Sequence, residues 1–229
     1  MRKGIKSRDE ELITMSRPKS VTAEAYRSLR TNLDFMSPDN PLRSILFTSS
    51  GTKEGKSKTI SNLAISMAQA GKKTVLLDCD LRKPMLHRFF NLPNYEGLSS
   101  VLTDEITSEE ALRGGEVENL QIITSGIIPP NPAELLGSKR MGNLLQKLSE
   151  RFEMVLLDTP PVIAVADAVI LGGKVDGVIL VVASHQTHRE MLSKAYETLK
   201  KGQVNIIGAI LNKYPLPTRK GYYYDYYQY

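Results

Sequence analysis

Residues 43–57 read RSILFTSSGTKEGKS, an apolar run that breaks into a small polar loop and ends in Gly55, Lys56 and Ser57 at the head of a helical pattern. A Gly-Lys-Ser triplet has physical meaning in that setting, where a strand meets a helix. The loop amides and the helix N-terminus concentrate partial positive charge at one point, which suits an anion. Against the general pattern G-x-x-x-x-G-K-[ST], Ser50 stands in for the first glycine, and Gly51 beside it keeps the flexibility. The reading predicts a phosphate loop for ATP made of Ser50, Gly51, Thr52, Lys53, Glu54, Gly55, Lys56, Ser57 and Lys58. Amides from Gly51 to Ser57 would wrap the phosphates, Lys56 would reach the β and γ oxygens, and Ser57 would ligate Mg²⁺.

Outward from this loop, apolar runs recur at 43–50, 73–80, 119–125, 152–159, 176–184 and 205–212. Each is nearly continuous in Val, Ile and Leu, as strands covered on both faces require. Segments of helical length and spacing connect them at 57–70, 138–150, 165–172 and 188–201. The order predicts an α/β chain of the P-loop NTPase fold, with a central, mainly parallel β-sheet flanked by helices. Ahead of the first strand, Tyr26, Leu29, Leu33 and Met36 recur at spacings of three and four, which predicts an amphipathic helix over 22–36 capped by Thr22. The expected organisation is a mobile N-terminal arm at 1–21, one domain at 22–214 and a flexible tyrosine-rich tail at 215–229.

Acidic residues stand at two further strand ends. LLDCDLRKP places Asp78 and Asp80 two residues apart, on one side of an extended chain, and VLLDTPP places Asp158 after another apolar run. Ligands bind beyond the carboxyl ends of parallel strands, so all three acids should gather beside the phosphate loop. Asp158 fits the role of holding Mg²⁺, directly or through water.

Composition narrows the classes. The 229 residues, 41% hydrophobic and 24% charged, suffice for one well-filled domain. A net charge of +5, spread along the chain, suits an acidic surface and falls short of a nucleic-acid-binding stripe. The lone Cys79 reads as a buried core filler in a reducing compartment. No apolar run approaches the roughly 20 residues needed to span a bilayer, and the N-terminus lacks the apolar core of a secretory signal. His87, His185 and His188 find no acid or cysteine to complete a metal set.

The last nine residues, GYYYDYYQY, hold six of the ten tyrosines: Tyr222, Tyr223, Tyr224, Tyr226, Tyr227 and Tyr229. SSGTKEGKS, LLDCDLRKP and VLLDTPP, followed by this cluster, resemble the bacterial tyrosine kinases of the capsule and exopolysaccharide type, from about residue 22 onward. The resemblance implies an ATP- and Mg²⁺-dependent kinase that phosphorylates its own tail, between subunits of a ring, an octamer by resemblance. It also implies a transmembrane activator, a cytoplasmic position at the inner face of the membrane, exogenous protein substrates and a role in polymer synthesis and export. In EAYRSLR at 24–30, Glu24, Arg27 and Arg30 match the family's E-x-x-R-x-x-R pattern for subunit contacts. Read without the family, they are a salt-bridged solvated face.

Under this reading Lys56, Asp78 and Asp80 are catalytic, with Asp78 taking the tyrosine proton. Ser57, Asp80 and Asp158 support the metal, and Asn212 at the end of the last strand contacts the adenine or forms a turn. Lys58 departs from the family's threonine and leaves the α-phosphate contact open. The rival reading is a partition-type ATPase switch, whose loop carries an additional lysine where Gly51 stands here. A third is a binding module with an adhesive tyrosine arm.

Overall fold

The computed structural model describes residues 11–36 and 41–215. Seven strands form one sheet: β1 (Ser44–Ser49), β2 (Thr74–Asp78), β3 (Arg113–Gly114), β4 (Leu120–Ile123), β5 (Met154–Asp158), β6 (Gly177–Ala183) and β7 (Ile206–Asn212). Their spatial order is β3-β4-β2-β5-β1-β6-β7. Every neighbouring pair is parallel except β3 with β4. The six strands expected from the apolar runs are all present. β3 is the addition, since two residues are too few to carry a periodicity.

The principal helices are α1 (Val21–Met36), α2 (Lys56–Gln69), α3 (Lys139–Arg151), α4 (Asp167–Gly172) and α5 (Arg189–Lys201). Each lies within a residue or two of its expected span. The cap of α1 is a correction: Thr22 lies inside the first turn, and the Ser20 hydroxyl accepts the Ala23 N–H at 3.1 Å. Two serine or threonine side chains stand near this helix start, and sequence does not rank them.

Successive strand residues point to opposite faces and feed two core layers. Ile45, Phe47, Leu76 and Leu156 pack beneath α2 with Ile60, Leu63 and Met67. Leu46, Val75, Leu77, Val155 and Leu157 face the other way, toward Leu144 and Leu148 of α3, Leu171 of α4 and Leu199 of α5. β7 closes one edge and is only partly covered.

Residues 11–20 do not form the solvated arm expected for 1–21. Leu12 and Thr14 are fully buried against α2. The Asn62 side chain clamps this stretch, accepting the Thr14 N–H at 2.9 Å and donating to the Glu11 carbonyl at 2.8 Å. One leucine and a partner amide 50 residues away outweigh the alternating charges, and the second is invisible along the sequence. Among the described residues, no helix is long and apolar enough to cross a membrane.

Candidate active site

The loop leaving β1 turns sharply enough to require unusual backbone. Gly55 has φ +89°, and a Cβ there would lie 2.1 Å from the Asn212 amide nitrogen, so only glycine fits. Lys53 also adopts the left-handed region, with φ 63°. Glu54 is 5% exposed and turns its carboxylate inward. It accepts the N–H groups of Ser50 at 3.2 Å and Gly51 at 3.1 Å, together with the Ser50 hydroxyl. The Gly51 amide, expected to face phosphate, is therefore engaged within the loop. The side chain that engages it is charged, and on sequence alone it reads as solvent-facing.

The acids gather because of strand register. Asp78 ends β2 and Asp158 ends β5, and the two are direct partners across these adjacent parallel strands. Both are fully buried. Lys56, at the first position of α2, reaches across and forms an ion pair with Asp158 Oδ1. It also donates to the Ser57 hydroxyl at 3.2 Å. Asp78 Oδ2 accepts the amides of Met85 at 3.1 Å and Leu86 at 3.0 Å. Asp80, 8% exposed, accepts from the amides of Arg82 and Lys83 at 3.3 and 3.0 Å.

Burial, reinforced by the Asp158 charge, pushes the Asp78 carboxyl up to about 8. Burial also raises Asp158, but there Lys56 opposes it strongly. The pair therefore divides its roles, with the proton resting on Asp78 and the negative charge on Asp158. Cys79 follows Asp78 in the chain, and burial drives its thiol well above its ordinary value and renders it inert.

Two buried oxygens, Asp78 Oδ1 and Asp158 Oδ2, have no hydrogen-bond partner among the described residues. Such groups cost free energy unless something outside the chain satisfies them. Among the described residues, no three His, Cys, Asp or Glu side chains converge closely enough to hold a metal unaided. The unpartnered Asp158 Oδ2 suits Mg²⁺, which takes one or two carboxylates and draws its remaining oxygens from phosphates and water.

Other expected residues fall as follows. Asn212 sits at the end of β7 and donates to the Glu54 carbonyl at 2.9 Å, so it touches the phosphate loop itself. Lys58 pairs with Glu11 at 3.5 Å and leans toward the N-terminal segment. Arg27 pairs with Glu24 and donates to the Pro18 carbonyl at 2.9 Å, while Arg30 donates to the Ser66 carbonyl of α2 at 2.8 Å. The tail tyrosines lie outside the described residues. Sequence reading missed Arg82, which makes a two-pronged pair with the buried Asp167 at 2.9 and 3.2 Å. The available signal was an aspartate set in an apolar helical run.

A family model described as an AAA domain matches residues 42–210. The tyrosine-protein kinase YwqD of Bacillus subtilis is 46% identical over 213 residues, 93% of this chain and 90% of its own length. The putative tyrosine-protein kinase CapB of Staphylococcus aureus is 36% identical, over 96% of this chain and 97% of its own. The crystal structure of the chimerical protein CapA2B2 superposes with a TM-score of 0.87 at 40% identity, covering 90% of this chain and 91% of the chimera. With a phosphate loop at the carboxyl edge of a mainly parallel sheet, and with these relatives along nearly its whole length, the chain belongs to the bacterial tyrosine kinases of the capsule family.

Proposed function

We propose that this chain is an ATP-dependent protein-tyrosine kinase that phosphorylates Tyr222, Tyr223, Tyr224, Tyr226, Tyr227 and Tyr229 of a neighbouring copy. The observation that carries this is the buried cluster at the ends of β2 and β5. Lys56 and Ser57 meet Asp158 there, and Asp78 holds a proton beside them. This is a preformed place for phosphate charge next to a carboxyl that becomes a base once it releases that proton.

The loop amides and Lys56 bind the ATP phosphates, and Lys56 remains charge-balanced by Asp158 until it does so. Ser57, Asp80 and Asp158 would hold Mg²⁺, which would supply positive charge against the ATP phosphates. Asp78 first releases its own proton to solvent, which a carboxyl held at about 8 does in a minority of molecules near neutral pH, and its carboxylate then takes the proton from the tyrosine hydroxyl as the phenol oxygen bonds to the γ-phosphorus. The bond from that phosphorus to the bridging oxygen breaks, and ADP leaves with the electron pair. A carboxyl held at about 8 is a far better match for a phenol of about 10 than an ordinary carboxylate of about 4. What remains is positioning and charge stabilisation.

Transfer between subunits is taken from the resemblance, since the end of β7 lies against this chain's own phosphate loop and reach alone does not choose between the two sites. The helix bearing Glu24, Arg27 and Arg30 would assemble the ring, an octamer in this proposal. Each phosphotyrosine adds nearly two negative charges, so modified tails repel and the ring loosens. A transmembrane activator would hold the chain at the inner membrane face, where it would act on polymer synthesis and further protein substrates.

The test mixes two chains with labelled ATP, Mg²⁺ and the activator's cytoplasmic segment. Asp78→Asn supplies an inactive chain with an intact tail, and a chain lacking residues 221–229 supplies activity without acceptors. Label on the Asp78→Asn tail supports transfer between copies. Release of phosphate with no tyrosine label would favour the partition-type ATPase instead.

A further inference from the structure

The end of β7 is fastened to the outer side of the phosphate loop. Lys213 Nζ donates to the Lys53 carbonyl and, at 2.8 Å, to Gln186 Oε1. Asn212 Nδ2 donates to the next carbonyl, that of Glu54, at 2.9 Å. Three residues in unfavourable backbone stand at or beside these bonds. Lys53, His185 and Lys213 have φ of 63°, 56° and 57°, a region that residues with a Cβ avoid. Glycine would accept the Lys53 conformation freely. Lysine must be held there.

A trans peptide aims its carbonyl and the following N–H in opposite directions. Fixing the Lys53 carbonyl outward therefore turns the Glu54 N–H inward, and fixing the Glu54 carbonyl outward does the same for Gly55. The Glu54 carboxylate ties the other end of the loop through Ser50 and Gly51. We infer that Lys213, with Asn212, is a positioning residue for nucleotide binding, which orients the phosphate-facing amides of Glu54 and Gly55 by holding the carbonyls of Lys53 and Glu54. This rests on the phosphate-loop reading above. It also joins the grip on nucleotide to the stretch of chain leading into the tyrosine tail.

The test is calorimetric titration of the full chain with MgATP, alongside steady-state kinetics. Lys213→Met should raise the Kd about tenfold, a change of about 1.4 kcal/mol. KM should rise in parallel while kcat changes less than twofold. Adding Lys53→Gly to Lys213→Met should recover most of the affinity, because glycine needs no restraint at that φ. Gln186→Leu, which removes only the second partner of Lys213, should give a smaller loss in the same direction. Unchanged affinity in Lys213→Met, or a loss that Lys53→Gly does not relieve, overturns the inference while leaving the nucleotide site standing. Failure of the unaltered chain to bind MgATP overturns both.

Discussion

Replacing Lys56 with methionine keeps an unbranched side chain of similar length and removes the only positive partner bonded to Asp158 in the described residues. The Lys56 side chain is 7% exposed and that of Asp158 fully buried, so water screens little of the change. Asp158 would then stand charged beside Asp78, its register neighbour, and must take up a proton to remain buried. Protonating a carboxyl of ordinary pKa about 3.9 costs about 4 kcal/mol at pH 7 and about 1.5 kcal/mol at pH 5. If the intact ion pair is near energetic neutrality, as buried pairs tend to be, those figures are the expected destabilisations. Urea unfolding followed by circular dichroism at both pH values measures them. The double variant Lys56→Met/Asp158→Asn has no charge left to neutralise and should return to within about 1 kcal/mol of the parent at pH 7. Neither variant should transfer phosphate, so stability and activity separate in the double variant. A loss in Lys56→Met below about 1 kcal/mol at pH 7, or an equal loss at both pH values, would refute the buried-pair account.

Three further outcomes are expected. The raised Asp78 carboxyl binds its proton more tightly folded than unfolded, so its contribution is fully present below about pH 4 and is lost as pH rises through about 8. Asp78→Asn keeps an acceptor for the Met85 and Leu86 amides and should flatten this slope, leaving the variant more stable than the parent at pH 8 to 9 and inactive; a parallel slope in thermal melts would count against it. Gly55→Ala should abolish MgATP binding in titration, because its Cβ meets Asn212 at 2.1 Å and its φ is left-handed, and near-normal binding would contradict the loop geometry. Arg30→Ala should cost about 1 kcal/mol in urea even where subunits do not assemble, through the lost bond to the Ser66 carbonyl. A purely intersubunit role for Arg30 predicts no change in the isolated subunit.

The order of strands and helices, the phosphate loop and the three strand-end acids were all legible along the chain, because each is a local pattern. Apolar runs of strand length, a Gly-Lys-Ser triplet at a strand-to-helix junction and aspartates closing apolar runs need no knowledge of distant partners. That Asp78 and Asp158 are neighbours came from the spatial order of the sheet, which inserts β5 between β1 and β2. Only that adjacency, with complete burial, divides proton and charge between the two carboxyls. Likewise the inward turn of Glu54, the hold of Asn62 on the Glu11 carbonyl and the grip of Lys213 on Lys53 join residues whose chemistry, read singly, suggests exposure to solvent. Sequence thus determined the elements and the kinds of group at their ends. Tertiary structure alone decided which groups meet, because burial and pairing depend on contacts between segments as far apart as Lys53 and Lys213.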